Sequence, residues 1–347
     1  MNNFTKAFVQ FSMTSVVTVI EALFLTFIWF GALFGNILLF VVVAKSPRLQ
    51  TKGNVFILNL AAADLLVSVI SLPITLVTVV SEGWILGKEV CLISGFITLL
   101  TFVASCMALS MISINRYHAI VHWTTYQATF TRRKCALYIC MVWGITIGLS
   151  IPPFFGWASF DYHEGQSYCF AKWTDSKSYT IFMIAVCLFG PLVIMGYCYV
   201  KIIQFKKKSK RDIQRSARPS CETLNSTNTE LSVTVGGRVT ADRNEQRLTR
   251  TVVLLIVVFA FCWSPFALIM VIDVFVGADV PRAIEFGSLV LGYANSFCNV
   301  LIYSATSNNV KQCFRKLLCP TRNTAEINSR TTVVISGDTI MHRGLRI

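Results

Sequence analysis

The chain has 347 residues, of which 54% are hydrophobic and only 14% are charged. Soluble domains carry about 25% charged residues, so this composition excludes an ordinary soluble protein and indicates a membrane protein. The 31 Lys and Arg residues outnumber the 17 Asp and Glu residues, which gives a net charge of +14. Because the basic residues crowd particular connections between apolar segments, we attribute this charge to membrane topology and expect no nucleic-acid partner.

Seven apolar windows follow one another along the chain, each long enough to cross a bilayer as a helix. The sequence therefore predicts an all-α membrane protein, a bundle of seven transmembrane helices. Lys and Arg concentrate after the first, third and fifth windows, which places the N-terminus outside the cell and the C-terminus in the cytoplasm of a multi-pass plasma-membrane protein. The windows lie at roughly 22–44, 54–80, 90–114, 135–156, 178–203, 249–276 and 283–304.

Outside these windows the predicted organisation is simple. We expect an extracellular tail at 1–21, the seven-helix domain at 22–304 with a flexible cytoplasmic loop at 206–244, an amphipathic surface helix at 305–319, which would lie on membrane lipids, and a disordered cytoplasmic tail at 320–347. The sequon at Asn3 predicts a glycan on the outer side. Cys313 and Cys319 follow the seventh window among basic residues, and we predict palmitoylation of either.

The cysteines divide by compartment. Cys91 and Cys169 are the only two predicted to lie at the outer face, where oxidising conditions permit a disulfide. We therefore expect this bond, between the outer end of the third helix and the loop that follows the fourth. Arg116 closes the same apolar segment that Cys91 opens, and a charged side chain at the mouth of a buried helix is a functional candidate.

Residues in every window resemble the rhodopsin-type (class A) G-protein-coupled receptors. The resemblance implies a receptor, not an enzyme, with a heterotrimeric G protein as its partner, and with receptor kinases and arrestin acting on the tail. The motifs that carry it are Gly35-Asn36, Leu60 to Asp64, Trp84 and Gly87 before Cys91, Asn115-Arg116-Tyr117, Trp143, Pro191, Tyr199, Phe259, Cys262-Trp263-Ser264-Pro265, Asn299 and Tyr303.

The resemblance also assigns roles to polar and aromatic residues inside the windows. Asp64 is a carboxylate in an apolar helix and needs partners. In the family such a residue belongs to a water-filled pocket that can hold a sodium ion, here made with Asn36, Ser105, Asn295 and Asn299, and a purely packing polar cluster is the alternative. The implied activation switch comprises Asn115, Arg116, Tyr117, Tyr199, Glu245, Phe259, Pro265 and Tyr303.

Two positions depart from the family pattern. Asn115 stands where the family usually has aspartate, so it cannot neutralise Arg116, and we expect a loosened inactive state. Val300 stands where the family usually has proline, so the seventh helix should be straighter. Melatonin receptors are similar in carrying asparagine at the first position and no proline at the second.

The expected ligand is small and lipophilic. Thr98 occupies the place where amine receptors carry aspartate, and the remaining pocket candidates are uncharged. Tyr293 occupies the position of the retinal-binding lysine of opsins, so we expect no covalent retinal and no cofactor beyond sodium. An opsin-like receptor with a non-covalent chromophore is one alternative. The full candidate pocket is Thr98, Phe102, Met183, Cys187, Trp263, Phe266, Leu289 and Tyr293.

The loop around Cys169 suggests a different source of the signal. Its motifs, with Asn295 to Asn299, resemble a small group of vertebrate orphan class A receptors that raise cAMP with high basal activity. Ordinary loop packing explains the same residues, and a transporter or channel is the alternative from another class. The residues predicted to fold into the pocket as a tethered plug are Phe160, Tyr162, Tyr168 and Phe170.

Overall fold

The computed structural model describes residues 3–216, 228–307 and 310–313; within these ranges the side chains of residues 3–15, 48, 213–216 and 228–248 are not described. Seven long helices form the bundle that the apolar windows predict. The helices are α1 (Asn3–Lys45), α2 (Lys52–Val80), α3 (Gly87–Val121), α4 (Arg132–Ser150), α5 (Lys177–Met183, a π-helical segment Ile184–Phe189, and Gly190–Ser216), α6 (Asn228–Val271, then a π-helical segment Ile272–Val276) and α7 (Arg282–Thr306).

The outer surface of the bundle is apolar. Phe27, Val193 and Phe261 each expose about two-thirds of their surface, at 65%, 68% and 65%. A soluble protein rarely leaves a belt of large apolar side chains in water, whereas a bilayer accommodates it. Each helix also contains an apolar stretch long enough to cross a membrane. The prediction of seven transmembrane helices is therefore confirmed.

Several helices extend beyond their predicted boundaries. Helix α1 begins at Asn3 and takes in most of the predicted tail at 1–21. Helices α5 and α6 continue to Ser216 and from Asn228, so both ends of the predicted loop at 206–244 are helical. Lys, Arg and Gln are good helix formers, which lets these helices continue into water after their apolar stretches end. Hydropathy marks only the part of a helix that lies in lipid.

The connection after α4 folds into a two-stranded antiparallel hairpin, β1 (Phe160–His163) and β2 (Tyr168–Ala171). The register pairs Phe160 with Ala171 and Tyr162 with Cys169. Every residue of β2 is buried, which is unusual for a loop and shows that the hairpin is packed into the bundle. The end of the bundle that carries this hairpin is called the disulfide side, and the opposite end the arginine side.

The interior of the bundle consists of two hydrophobic clusters. The first lies on the disulfide side and includes the hairpin residues, and the second lies on the arginine side around Leu60, Leu109 and Tyr303. Phe102 and Trp263 pack against both clusters. These two side chains therefore connect the hydrophobic cluster of the disulfide side with that of the arginine side.

Helix α2 contains a π-helical segment, Val67–Ser71, which ends two residues before Pro73. Proline lacks a backbone N–H and clashes with the carbonyl four residues earlier, and a wider turn relieves both constraints. Ser71 and Thr75, which flank the proline, are both buried. The irregular turn thus lets two hydroxyl groups face the bundle interior.

Candidate functional site

A disulfide fixes the hairpin to the bundle. Cys91 in the first turns of α3 and Cys169 in β2 are bonded, so the predicted pairing is confirmed. Successive strand residues point to opposite faces, so the neighbours of Cys169 on either side share one face of β2. Those neighbours are Tyr168 and Phe170, and the bond at Cys169 directs both toward the bundle interior.

Tyr168 and Phe170 lie within the disulfide-side cluster. Their exposed fractions are 3% and 2%, and their ring centroids lie 5.3 Å apart. The Phe170 ring meets Phe266 of α6 edge to face at 5.6 Å and Trp173 at the same distance. Burial among apolar side chains raises the pKa of Tyr168, which keeps its hydroxyl neutral. Two of the four predicted plug residues thus occupy the interior.

The other two predicted plug residues, Phe160 of the same cluster and Tyr162, lie on the opposite face of the hairpin. Phe160 is buried, but it packs on the side of α3 against Phe96, 6.4 Å between ring centroids, and against Phe154 at 5.1 Å. Tyr162 is partly exposed beside Trp84, 5.9 Å away. The strand register explains the split, because Phe160 and Tyr162 pair with Ala171 and Cys169 and so lie on the face of the hairpin opposite to Tyr168 and Phe170. The sequence does not reveal this register.

The predicted pocket residues and the hairpin residues form one continuous cluster. Met183, Cys187, Phe266, Leu289 and Tyr293 all belong to it together with Tyr168 and Phe170. All five are buried, with exposed fractions of 2% to 6%. Tyr168 and Phe170 of the chain itself therefore lie among the residues predicted to line the ligand pocket.

Two hydroxyl pairs close the wall of this cluster between helices. Thr98, predicted to face the ligand, instead shares a hydrogen bond of 2.9 Å with Ser71 of α2. Tyr293 shares one of 2.9 Å with Thr75. The sequence analysis identified neither partner, although two hydroxyl residues four apart beside a proline in an apolar helix are a usable signal. These bonds satisfy polar groups that would otherwise be buried alone.

Trp263 connects the hairpin contacts to the arginine side. Its ring lies 5.9 Å from Phe266, 4.6 Å from Phe102 and 6.2 Å from Phe259. A methyl group placed on Gly292 of α7 would come within 3.2 Å of the Trp263 ring, so the glycine lets helix and ring approach closely. Pro265 lies within α6, two residues after Trp263. A chain of aromatic contacts thus runs from Phe170 through Phe266 and Trp263 to Phe259.

The predicted polar pocket is assembled deeper in the bundle. The Asn299 amide donates a hydrogen bond of 3.0 Å to one carboxylate oxygen of Asp64, and Asn36 donates to the Ser296 carbonyl at 3.3 Å. Ser105 and Asn295 are buried as well. Among the described residues, Asp64 Oδ1, Asn299 Oδ1 and Asn295 Nδ2 have no hydrogen-bond partner. Unsatisfied groups of this kind indicate room for water or an ion.

Arg116 is buried on the arginine side, with 8% of its surface exposed. It donates a hydrogen bond of 2.7 Å to Asn115 Oδ1, and Asn115 Nδ2 donates to the Tyr126 hydroxyl at 3.2 Å. Asn115 lacks the charge that would neutralise Arg116, but its side-chain oxygen still accepts a hydrogen bond from the guanidinium. A Cβ on Gly53 would overlap that guanidinium, so this glycine makes the room for it. The sequence analysis identified neither Gly53 nor Tyr126.

The other predicted switch residues lie around this arginine. Tyr117 shares a hydrogen bond of 2.9 Å with His122. Tyr199 donates to the Thr249 carbonyl of α6 at 3.5 Å, and the Tyr303 hydroxyl has no partner among the described residues. The predicted restraint from Glu245 falls on a side chain outside those described, as do the predicted sites at Asn3 and Cys319. Cys313 is partly buried against the arginine-side cluster.

An ion pair that the sequence analysis did not identify joins α1 and α7 on the disulfide side. Arg282 donates to both carboxylate oxygens of Glu21, at 2.6 and 2.9 Å, and to the Ser167 hydroxyl of the hairpin turn at 3.2 Å. Only 11% of the Glu21 side chain is exposed. The sequence pattern that could have predicted this pair is the presence of opposite charges, Glu21 and Arg282, at the outer ends of the first and seventh apolar windows. The pair fixes the hairpin turn against two helices.

Comparison with known proteins identifies relatives over most of the chain. Residues 35–303 match the family model of the seven-transmembrane receptors of the rhodopsin family. The melatonin receptor type 1B of Rattus norvegicus is 28% identical over 292 residues, which cover 82% of this chain and 73% of the relative. A QRFP-like peptide receptor of Branchiostoma floridae is 28% identical over 312 residues, covering 86% and 77%. The crystal structure of squid rhodopsin has the same fold, with a TM-score of 0.76, 22% identity and 93% coverage of both chains.

Proposed function

This chain belongs to the rhodopsin family of seven-transmembrane receptors, multi-pass plasma-membrane proteins that couple to heterotrimeric G proteins, and we propose that its own hairpin supplies the signal at the ligand position. Members of this family are receptors, so the family assignment favours a receptor over an enzyme, a transporter or a channel. The observation that carries the proposal is the burial of Tyr168 and Phe170 in contact with Phe266.

The proposed mechanism follows the aromatic contacts. Phe170 presses on Phe266, which meets Trp263, and Trp263 packs against both hydrophobic clusters. Packed side chains have discrete arrangements, so displacement of one ring is passed on by its neighbours instead of being absorbed. In the active state α6 moves outward and Arg116 leaves Asn115 to meet the G protein. A hairpin fixed by a disulfide would then maintain a basal signal without a diffusible ligand.

The names of the relatives point to different ligands, melatonin for one and a peptide for another, so they do not identify a ligand for this chain. The pocket residues around Phe170 are apolar, which keeps a small lipophilic ligand as the alternative occupant. We propose cAMP as the second messenger, because the seventh helix and the loop resemble orphan receptors that raise it. Arrestin and receptor kinases are the proposed partners of the tail.

The proposed orientation places the disulfide side outside the cell and the arginine side in the cytoplasm. Two observations support it. Disulfides persist in oxidising compartments, and the bond between Cys91 and Cys169 is on the first side. Basic residues such as Lys52, Arg132 and Lys206 concentrate on the other.

We also propose that the pocket around Asp64 holds a sodium ion with water. The support is the pair of unsatisfied oxygens, Asp64 Oδ1 and Asn299 Oδ1, which are the ligand type that hard cations prefer. Thermal stability should then rise when KCl is replaced by NaCl at equal ionic strength, and Asp64→Asn should remove the difference. Equal stability of the wild type in the two salts would contradict sodium binding.

The receptor proposal is tested by expressing the full chain and recording cAMP, calcium and inositol phosphate without added ligand. Phe→Ala changes in a core cost about 3–5 kcal/mol and risk misfolding, so Phe170→Leu accompanies Phe170→Ala as the milder variant. Phe155, which is 80% exposed on the same loop, provides the matched control Phe155→Ala. We expect both Phe170 variants to lower basal signal at equal surface expression, with the control unchanged.

The outcomes separate the alternatives. A flat response in every channel that Arg116→Ala leaves unchanged would overturn basal receptor signalling. Basal signal that survives in both Phe170 variants would overturn the role of the hairpin. Signal that disappears in lipid-depleted medium, in the wild type and in the variants alike, would identify a lipophilic ligand from outside as the activator.

A further inference from the structure

An open cavity lies beside the hairpin on the disulfide side, bordering the disulfide-side cluster at Val79. It is bounded by α1, α2, the turn after α2, the hairpin and the start of α7, and its volume is about 820 Å³. Binding sites for small molecules have volumes of about 300–1,000 Å³, so this cavity is of the right size for one. The residues that give it chemical character are Glu82, Trp84, Tyr162, Glu164 and Arg282, with Val79 as an apolar wall.

The charge inside the cavity is negative. Among the lining residues that the structure describes, the one basic side chain is Arg282, and both oxygens of Glu21 already accept hydrogen bonds from it at 2.6 and 2.9 Å. Glu82 and Glu164 form no ion pair with any of the residues whose side chains the structure describes, and Glu82 only accepts a hydrogen bond from Thr18. Glu82 still interacts with Arg282 at longer range, but this arginine faces the carboxylates of Glu21, Glu82 and Glu164, so the surplus of negative charge attracts a cation.

The aromatic side chains of the cavity favour an organic cation over a metal ion. The rings of Trp84 and Tyr162 lie 5.9 Å apart at an angle of 37°, and both are partly exposed. The Trp84 indole N–H donates to the Gly87 carbonyl, which fixes the ring in place. Ring faces next to carboxylates bind ammonium groups by cation–π attraction. Val79 offers contact to an apolar part of the same ligand.

We propose that this cavity is a binding site for a small organic ammonium compound, which contacts the exposed parts of the Trp84 and Tyr162 rings and is neutralised by Glu82 and Glu164. The inference deepens the proposed function, on which its signalling consequence rests, because Tyr162, Glu164 and Ser167 belong to the same hairpin as Phe170. A ligand that pulls on the hairpin turn changes how Phe170 presses on Phe266. The site therefore regulates the basal signal from outside the cluster that holds Phe170.

Binding is tested on the purified full-length receptor in dodecyl maltoside, without G protein. The probe is phenyltrimethylammonium, and the control is its neutral isostere tert-butylbenzene. Binding of each compound is detected by saturation-transfer NMR, and its affinity is measured by titration. We expect the ammonium probe alone to bind, and Glu82→Gln with Glu164→Gln to weaken it about tenfold, as expected for two charges near the ligand. Tyr162→Leu should weaken it as well. Glu89→Gln removes one exposed carboxylate outside the cavity and should leave binding unchanged.

Three results would overturn the proposal. Equal binding of the probe and its isostere, or unchanged affinity in the double glutamine variant, would show that charge does not hold the ligand. A rise in thermal stability with calcium chloride, without binding of the ammonium probe, would show a metal site instead. The thermal stability of each variant, measured alongside, distinguishes lost binding from lost folding. Because binding is read without signalling, failure of the cation site leaves the basal-signal experiment untouched. Likewise, a silent receptor that still binds the probe would refute only the proposed function.

Discussion

Replacing Asn115 by aspartate tests whether the contact beside Arg116 sets the resting state. Arg116 donates to Asn115 Oδ1 at 2.7 Å, and the substitution keeps that oxygen in place while giving it a negative charge. The Tyr126 hydroxyl, which now accepts from Asn115 Nδ2, can donate to a carboxylate instead. The geometry is retained, and only the charge of the acceptor changes.

The size of the effect follows from the burial of this pair. A hydrogen bond between two ionised groups is roughly twice as strong as one between neutral groups, but burying the new carboxylate offsets part of the gain. We expect a net stabilisation of the inward arginine by about 1–2 kcal/mol. This corresponds to a 5- to 30-fold change in the equilibrium between resting and active states, or about that fall in basal signal.

The assay is ligand-free G-protein activation at matched surface expression. Two variants of the same contact should move the signal in the opposite direction. Asn115→Ala removes both hydrogen bonds of the side chain, and Gly53→Ala places a methyl group where the Arg116 guanidinium lies. Both should raise basal activity, since each frees the arginine from its inward position.

An unchanged basal signal in Asn115→Asp, with normal expression and thermal stability, would refute this reasoning. It would mean that Arg116 is restrained elsewhere and that the asparagine does not loosen the resting state. A rise in Asn115→Asp would refute it more strongly, since the added charge can only strengthen the contact in this geometry.

Further predictions concern stability. Gly292→Ala should destabilise the fold by about 1–3 kcal/mol, because its methyl group crowds Trp263 at 3.2 Å, whereas Gly287→Ala, with open space around it, should not; equal melting temperatures would contradict the contact. Replacing both bridged cysteines by serine should lower the free energy of unfolding by about 4 kcal/mol, since the bond closes a loop over a separation of 78 residues. A much smaller loss in thermal unfolding would show that packing alone fixes the hairpin. Burial lowers the pKa of His163, so the unfolded chain binds more protons than the folded one at mildly acidic pH. The melting temperature should therefore fall as pH drops below about 6.5, and it should fall less in His163→Gln. Parallel curves of melting temperature against pH for the two proteins would contradict this.

Much of the architecture follows from local patterns. Apolar length predicts each span, because a helix in lipid must bury every backbone polar group within itself. Compartment predicts the bond between Cys91 and Cys169, since no other cysteine was expected on that side. The family resemblance implied that Asp64 lies with Asn299, and adjacency in the sequence alone put Arg116 beside Asn115.

The sequence by itself thus determined the class, the seven helices and the disulfide. Only the tertiary structure decided which side chains occupy the interior. Strand register sent Tyr168 and Phe170 inward and left Tyr162 at the rim, and the π-helical turn before Pro73 turned Ser71 toward Thr98. Register and helix rotation depend on contacts between distant segments, which local hydropathy does not encode. The pairing of Glu21 with Arg282, 261 positions apart, has the same origin.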